Sequence, residues 1–358
     1  MQRLDTMPPR FPMNGTLELT LRCNLHCRMC MFRHGDDENE ILQAKELSPE
    51  AWEHLAKQMQ EAGVIDLVIT GGEPLLRSDF CEIYRRIYRY GFLITLFTNA
   101  ILVNEEVMET LREMPPHKIG VTFYGACDET YGRLCGDDRG FTRALAGTEK
   151  LASLPSVLEL RSTVVRENAG DLETLERLCM EKFGCTVAHT SAVFNCVRGG
   201  CMPVSESRLS PEEAVELTVK RAVGRIRSDL PEAYRDKVRI RMEEPTTSCA
   251  EATGLSVLGC HGGLEHFTIA YDGRLLGCQL LEEFSTDALR DGFARAWEEW
   301  PFQVRLPQVC AECASCHFAE NCQVCPAVRM AECGNLSGRP EYICRMTKDF
   351  AARKGEDL

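Results

Sequence analysis

From residue 16 to residue 194, short apolar runs alternate with longer stretches whose apolar residues recur every three to four positions. Residues 17–21 read as a first strand. Ser48 suits the N-cap of a helix running to about residue 62, with Trp52, Leu55 and Met59 on one stripe. Further strands are expected at 66–70, 92–98, 118–123, 157–165 and 185–194. Helices are expected at 80–90, 104–114, 141–154 and 171–183, and a sixth at 211–227. Regular strand–helix alternation predicts an α/β fold with a parallel sheet and helices outside. Six units are too few for an eight-fold barrel, so the expected fold is an open, partial (β/α)6 TIM-like barrel. In such sheets the chemistry sits at the C-terminal strand ends.

Residues 196–210, with Gly199, Gly200 and Pro203, read as a loop leaving the barrel. A short strand is expected at 237–242. From about 246, glycine and cysteine dominate and the apolar period fades, as in a small domain held by metal more than by a core. Within it, residues 266–270, Tyr271-Asp272-Gly273 and 274–278 suit a hairpin that would bring Cys260 and Cys278 together. A last helix is expected from 342 to about 354. The division is thus a barrel core at 1–205, a bridging segment at 206–245 and a cysteine-rich domain at 246–358.

A chain of 358 residues has room for a large core and an appended domain. No apolar run is long enough to span a bilayer and no secretion signal opens the sequence, which predicts a cytoplasmic protein without a membrane partner. A net charge of −13 disfavours nucleic acid as a partner. The 20 cysteines change the picture most. Cytosolic thiols stay reduced, so clustered cysteines point to metal. Three lie between Cys23 and Cys30, and seven between Cys310 and Cys344.

Cys23-Asn-Leu-His-Cys27-Arg-Met-Cys30 directly follows the first strand. Three thiolates converging from one loop leave an iron of a four-iron cluster without a protein ligand, because such clusters usually take four cysteines. A structural zinc site completed by His26 or His34 is the alternative.

The C-x3-C-x2-C loop after the first barrel strand resembles the radical S-adenosylmethionine (SAM) superfamily. That resemblance implies a [4Fe–4S] cluster on Cys23, Cys27 and Cys30 whose open iron is chelated by SAM, and reductive cleavage of SAM to a 5′-deoxyadenosyl radical. The aromatic residue that often precedes the third cysteine is Met29 here; either Met29 or Phe32 would then touch adenine. Thr70-Gly71-Gly72-Glu73-Pro74 resembles the family's GGEP motif, which holds the SAM amino group; taken alone it suits a plain turn. Thr98-Asn99 matches a common Thr-Asn pair. The resemblance also implicates Thr122, Tyr124, Arg161, Thr163, Asn168 and residues 187–193, each of which equally suits a structural role at a strand end.

The later pattern, Cys260-x12-Gly273-x4-Cys278, then Cys313-x2-Cys316-x5-Cys322-x2-Cys325 and Cys344, resembles the SPASM domain and its two auxiliary [4Fe–4S] clusters. The family has three residues, not two, before the cysteine matched by Cys325. The resemblance implies one cluster on Cys249, Cys260, Cys278 and Cys325, and another on Cys313, Cys316, Cys322 and Cys344, with Cys310 and Cys333 as spare candidates. Zinc ribbons are the alternative. Cysteines 81, 127, 135, 179 and 185 read as small core hydrophobes; Cys196 and Cys201, in a loop near the expected cavity mouth, read as structural, with substrate binding as the alternative.

Members with this domain mostly act on peptides or proteins. The resemblance implies an enzyme that modifies a ribosomally made peptide by a thioether or carbon–carbon crosslink or a related oxidation. It also implies an electron donor such as flavodoxin or ferredoxin. The stretch before the first strand is short, so a separate peptide-binding protein is a further candidate partner. A sulfatase-maturating enzyme that forms formylglycine is an alternative, although Gln279 stands where such enzymes place an Asp; Asp272 or Glu282 would have to replace it as base. A radical SAM dehydrogenase of a small molecule and a non-catalytic zinc-binding interaction protein complete the set.

Overall fold

The computed structural model describes residues 9–199, 204–229, 258–319, 322 and 324–353. Six parallel strands lie in chain order: β1 (Asn14–Glu18), β2 (Asp66–Thr70), β3 (Leu93–Thr98), β4 (Lys118–Thr122), β5 (Val157–Thr163) and β6 (Val187–Thr190). Among these six, pairing runs only between sequence neighbours, and β6 does not return to β1, so the barrel is open. Helices return between the strands. Ser48 accepts from the Ala51 N–H at the start of Pro49–Glu61, and Asn104 accepts from the Val107 N–H at the start of Glu105–Glu113. Both caps satisfy donors the first helical turn leaves open. Trp52, Leu55 and Met59 are fully buried against the sheet. Asp128–Cys135 is an additional helix after β4, and Pro211–Asp229 follows β6. The strand expected at 237–242 lies outside the described residues. No helix among the described residues is long and apolar enough to cross a membrane.

The hairpin forms as expected, but not within a separate core. β7 (His266–Ile269) pairs in parallel with β1, from Asn14↔His266 to Leu17↔Ile269. β8 (Arg274–Leu276) and β9 (Ser285–Asp287) follow antiparallel, extending the sheet to nine strands. β1, first in a six-unit array, would otherwise present an unpaired edge, and β7 covers it. Phe267 belongs to the same buried cluster as Leu17, Leu275, Phe293, Trp297 and Trp300. Gly15 makes room for it: a Cβ there would stand 2.5 Å from the Phe267 ring. The expectation that metal rather than a core holds this region is corrected in part, because strands of three and four residues are too short to register as a period.

Candidate functional site

β1 starts and ends three residues earlier than its apolar run suggests, and the segment beyond it carries the pairing into the loops. Leu19 N–H donates to Thr70 O at 2.9 Å, Gly72 N–H to Thr20 O at 2.8 Å, and Glu73 N–H to Arg22 O at 2.9 Å. The two loops after β1 and β2 are therefore zipped backbone to backbone. This contact explains the glycines. Gly71 has φ +154°, and a Cβ on Gly71 or Gly72 would stand 2.3 Å from Thr20 O or Arg22 O. The zip fixes where Cys23 begins its loop.

Cys23, Cys27 and Cys30 then line one cavity of about 210 Å³ together with Gly71, Gly72 and Glu73. His26 N–H donates to Cys135 O and Arg28 N–H to Leu134 O, which docks the loop on the end of the helix Asp128–Cys135. Leu25 N–H points at the Cys23 sulfur (3.4 Å) and Phe32 N–H at the Cys30 sulfur (3.5 Å). Burial pushes the Cys23 thiol well above its ordinary range and the Cys30 thiol up to about 12. Contact with Cys135, then burial, does the same to Cys27. Among the described residues no three Cys, His, Asp or Glu side chains close tightly enough for one bare ion. His26 and His34 are engaged by Asp36 and Glu38.

The Glu73 side chain turns inward. It accepts from Leu75 N–H (3.0 Å), the Thr98 hydroxyl (2.8 Å) and Asn99 N–H (2.7 Å). Burial nevertheless raises its pKa to about 7. Asn99 in turn donates from Nδ2 to Asn24 Oδ1 at 2.8 Å, beside Cys23. Thr98, Asn99, Thr122 and Tyr124 line the cavity, and so does Phe32. Met29 is instead buried in the main core, and Pro74 is buried at the start of a short 3-10 turn. Arg161 pairs with Glu159 and stacks over Phe97, whose ring lines the cavity. Asn168 bonds Tyr124 O and Thr163 O, a structural role at the strand ends.

Residues 17–179 match the profile of the Radical SAM superfamily. Those residues carry a radical SAM domain. The cofactors the superfamily implies are a [4Fe–4S] cluster and SAM. An AdoMet-dependent heme synthase of Methanosarcina barkeri is 26% identical over 346 residues, which is 92% of this chain and 96% of the relative. A PqqA peptide cyclase of Ruegeria pomeroyi is 26% identical over 327 residues, 84% of this chain and 79% of the relative. In fold, the chain is similar to Streptococcus suis SuiB bound to SAM, with a TM-score of 0.66 at 16% identity, over 94% of this chain and 77% of SuiB.

In the C-terminal part, Cys278 stands near Cys325 and Cys260, and burial foremost raises its thiol to about 11. Cys249 and Cys201 lie outside the described residues. Cys313 receives Arg329 Nη1 at 3.3 Å. Cys310 and Cys333 are its near thiol neighbours. Arg339 bonds the Cys344 thiol and also feels Cys313. Cys316 and Cys322 are half-buried on the same stretch. Cys135, read as a small core hydrophobe, proves to adjoin the site beside Cys27, and Cys196, read as structural or substrate-binding, neighbours Cys30 and bonds Met31 O at 3.0 Å. No spacing signal links either to the first loop. Arg198 and Glu18 also escaped sequence reading. Both are buried, and Arg198 Nη1 reaches the two Glu18 oxygens at 2.9 and 2.8 Å.

Proposed function

We propose that this enzyme modifies a ribosomally made peptide, using SAM bound at the three-cysteine cavity. One observation carries the site: the Cys23–Cys30 loop and the Gly71-Gly72-Glu73 loop are zipped by paired backbone hydrogen bonds around a single cavity. The residues fit the expected groups. Three soft thiols suit iron and leave an open coordination position, and the glycines let the second loop close on the first so that both line the cavity. Cys23, Cys27 and Cys30 would hold the cluster; Gly71, Gly72, Phe32, Asn99 and Thr122 would flank SAM. The bound pair supplies a strongly oxidising carbon radical for hydrogen abstraction. Glu73 locks the second loop to β3, and the buried walls exclude water from the reacting atoms.

The peptide reading draws support from the relative named PqqA peptide cyclase and from SuiB, which is also known bound to its precursor peptide SuiA. Auxiliary clusters on Cys249, Cys260, Cys278 and Cys325, and on Cys313, Cys316, Cys322 and Cys344, belong to the same proposal, as does an external electron donor. A second reading, a haem-forming reaction on a small molecule, is favoured by the relative named heme synthase, which matches a larger share of the chain. The test is anaerobic turnover of the reconstituted enzyme with SAM, a reductant and candidate precursor peptides taken from any short reading frames beside its gene. Loss of two hydrogens from the peptide, in step with 5′-deoxyadenosine, supports the reading. Release of 5′-deoxyadenosine with the peptide mass unchanged overturns it.

A further inference from the structure

A larger cavity, about 810 Å³, adjoins the first; Leu21 and His34 line both. Its wall carries mixed charge, most of it already paired. Arg274 holds Asp272 at 2.8 Å and Glu282 at 3.1 Å. Arg198 differs. Its side chain is 2% exposed, and Glu18, β1's last residue, occupies only Nη1. The carbonyl of Gln279 lies 3.5 Å from the same nitrogen. Among the described residues, Nε and Nη2 have no hydrogen-bond partner. Glu282 forms an ion pair with Nε at 3.6 Å, beyond hydrogen-bond distance, and accepts its hydrogen bond from Arg274. Two donors on one edge of a fixed, buried guanidinium, in a residue that lines the cavity, form a fork matched to a planar carboxylate. Leaving such donors unmatched is costly, so a ligand is the natural complement. The Phe32 ring, on the wall of the first cavity, sits 5.2 Å from the guanidinium. The fork therefore lies beside the place where hydrogen abstraction is proposed.

We propose that Arg198 anchors a carboxylate of the substrate, an Asp or Glu side chain of the peptide, in the larger cavity through its Nε and Nη2 edge. This rests on the peptide reading for the identity of the carboxylate, though not for the presence of an anion. The other source of the same chemistry is the carboxylate of SAM itself.

The test titrates the reconstituted, SAM-saturated enzyme with N-acetylglutamate amide and with its uncharged isostere N-acetylglutamine amide. The acidic probe is expected to bind more tightly by about tenfold to a hundredfold, the worth of a charge-assisted hydrogen-bonded pair. Arg198→Gln is expected to abolish that preference, and Arg198→Lys to restore part of it. Equal binding, or no binding, of both probes to the unmutated enzyme overturns the proposal without reliance on any variant's folding. A preference that survives Arg198→Gln, or that vanishes instead in Lys45→Gln at the exposed rim, overturns it too. A parallel loss of SAM affinity in Arg198→Gln would assign the fork to SAM and likewise overturn it. A standing preference with no peptide ever modified would leave the anchor in place and remove the peptide reading.

Discussion

The Glu73 carboxylate accepts a 2.7 Å hydrogen bond from the backbone N–H of Asn99, joining the loop after β2 to the loop after β3. Since Asn99 Nδ2 also reaches Asn24, the first three strand ends are coupled through this one buried acid.

Burial raises the Glu73 pKa from 4.5 to about 7. The folded state then holds this proton where the unfolded chain has lost it, so stability falls as pH rises through about 7. Between pH 6 and 8 the urea midpoint should drop by an amount corresponding to roughly 1 kcal/mol. Glu73→Gln removes that slope, although the amide opposes the Asn99 N–H and lowers stability at every pH. Equal slopes in the two proteins would contradict the buried, proton-holding acid.

Gly72→Ala drives a Cβ onto Arg22 O, a backbone atom that cannot swing aside. A cost of about 1–3 kcal/mol is expected, with weakened SAM affinity because Cys23 follows directly. Gly170→Ala, with open space around it, is the control and should be nearly neutral. Equilibrium dialysis with labelled SAM, beside thermal melts, checks both.

The C-terminal hairpin hangs on Trp300. Its ring is fully buried over Gly263 and Gly277, and Nε1 donates to Phe284 O at 2.7 Å. Trp300→Ala should cost about 3–5 kcal/mol. Gly277→Ala, whose Cβ would stand 2.2 Å from the ring, should displace the adjoining Cys278 and lower bound iron. Iron retained in full by Gly277→Ala would argue against Cys278 as a ligand.

Cys310 and Cys333 both neighbour Cys313, although the ligand pattern leaves them out. If Cys316 and Cys322 complete the second auxiliary cluster, replacing either by Ala removes one cluster's iron and Cys310→Ala removes none. Iron counts after anaerobic reconstitution decide between the two sets.

The barrel was legible because each strand–helix step repeats a period long enough to count, and because Ser48 and Asn104 mark helix starts chemically. The cysteine loop and the glycines were legible because their spacing is local. The β7–β1 pairing was not: it joins residues some 250 apart through strands too short for a pattern. Arg198 with Glu18 was invisible for the same reason, since a buried ion pair between distant loops leaves no local trace. Spacing did not foretell the loop's turn, which sends Met29 into the core and Phe32 to the cavity wall.

The most direct test of the three-thiol site is 5′-deoxyadenosine release from SAM by anaerobically reconstituted, reduced protein. The unmutated enzyme and Cys185→Ala are expected to release it, and Cys27→Ala to release none. Release by Cys27→Ala at the unmutated rate, or none from a fully iron-loaded unmutated enzyme, would contradict the account.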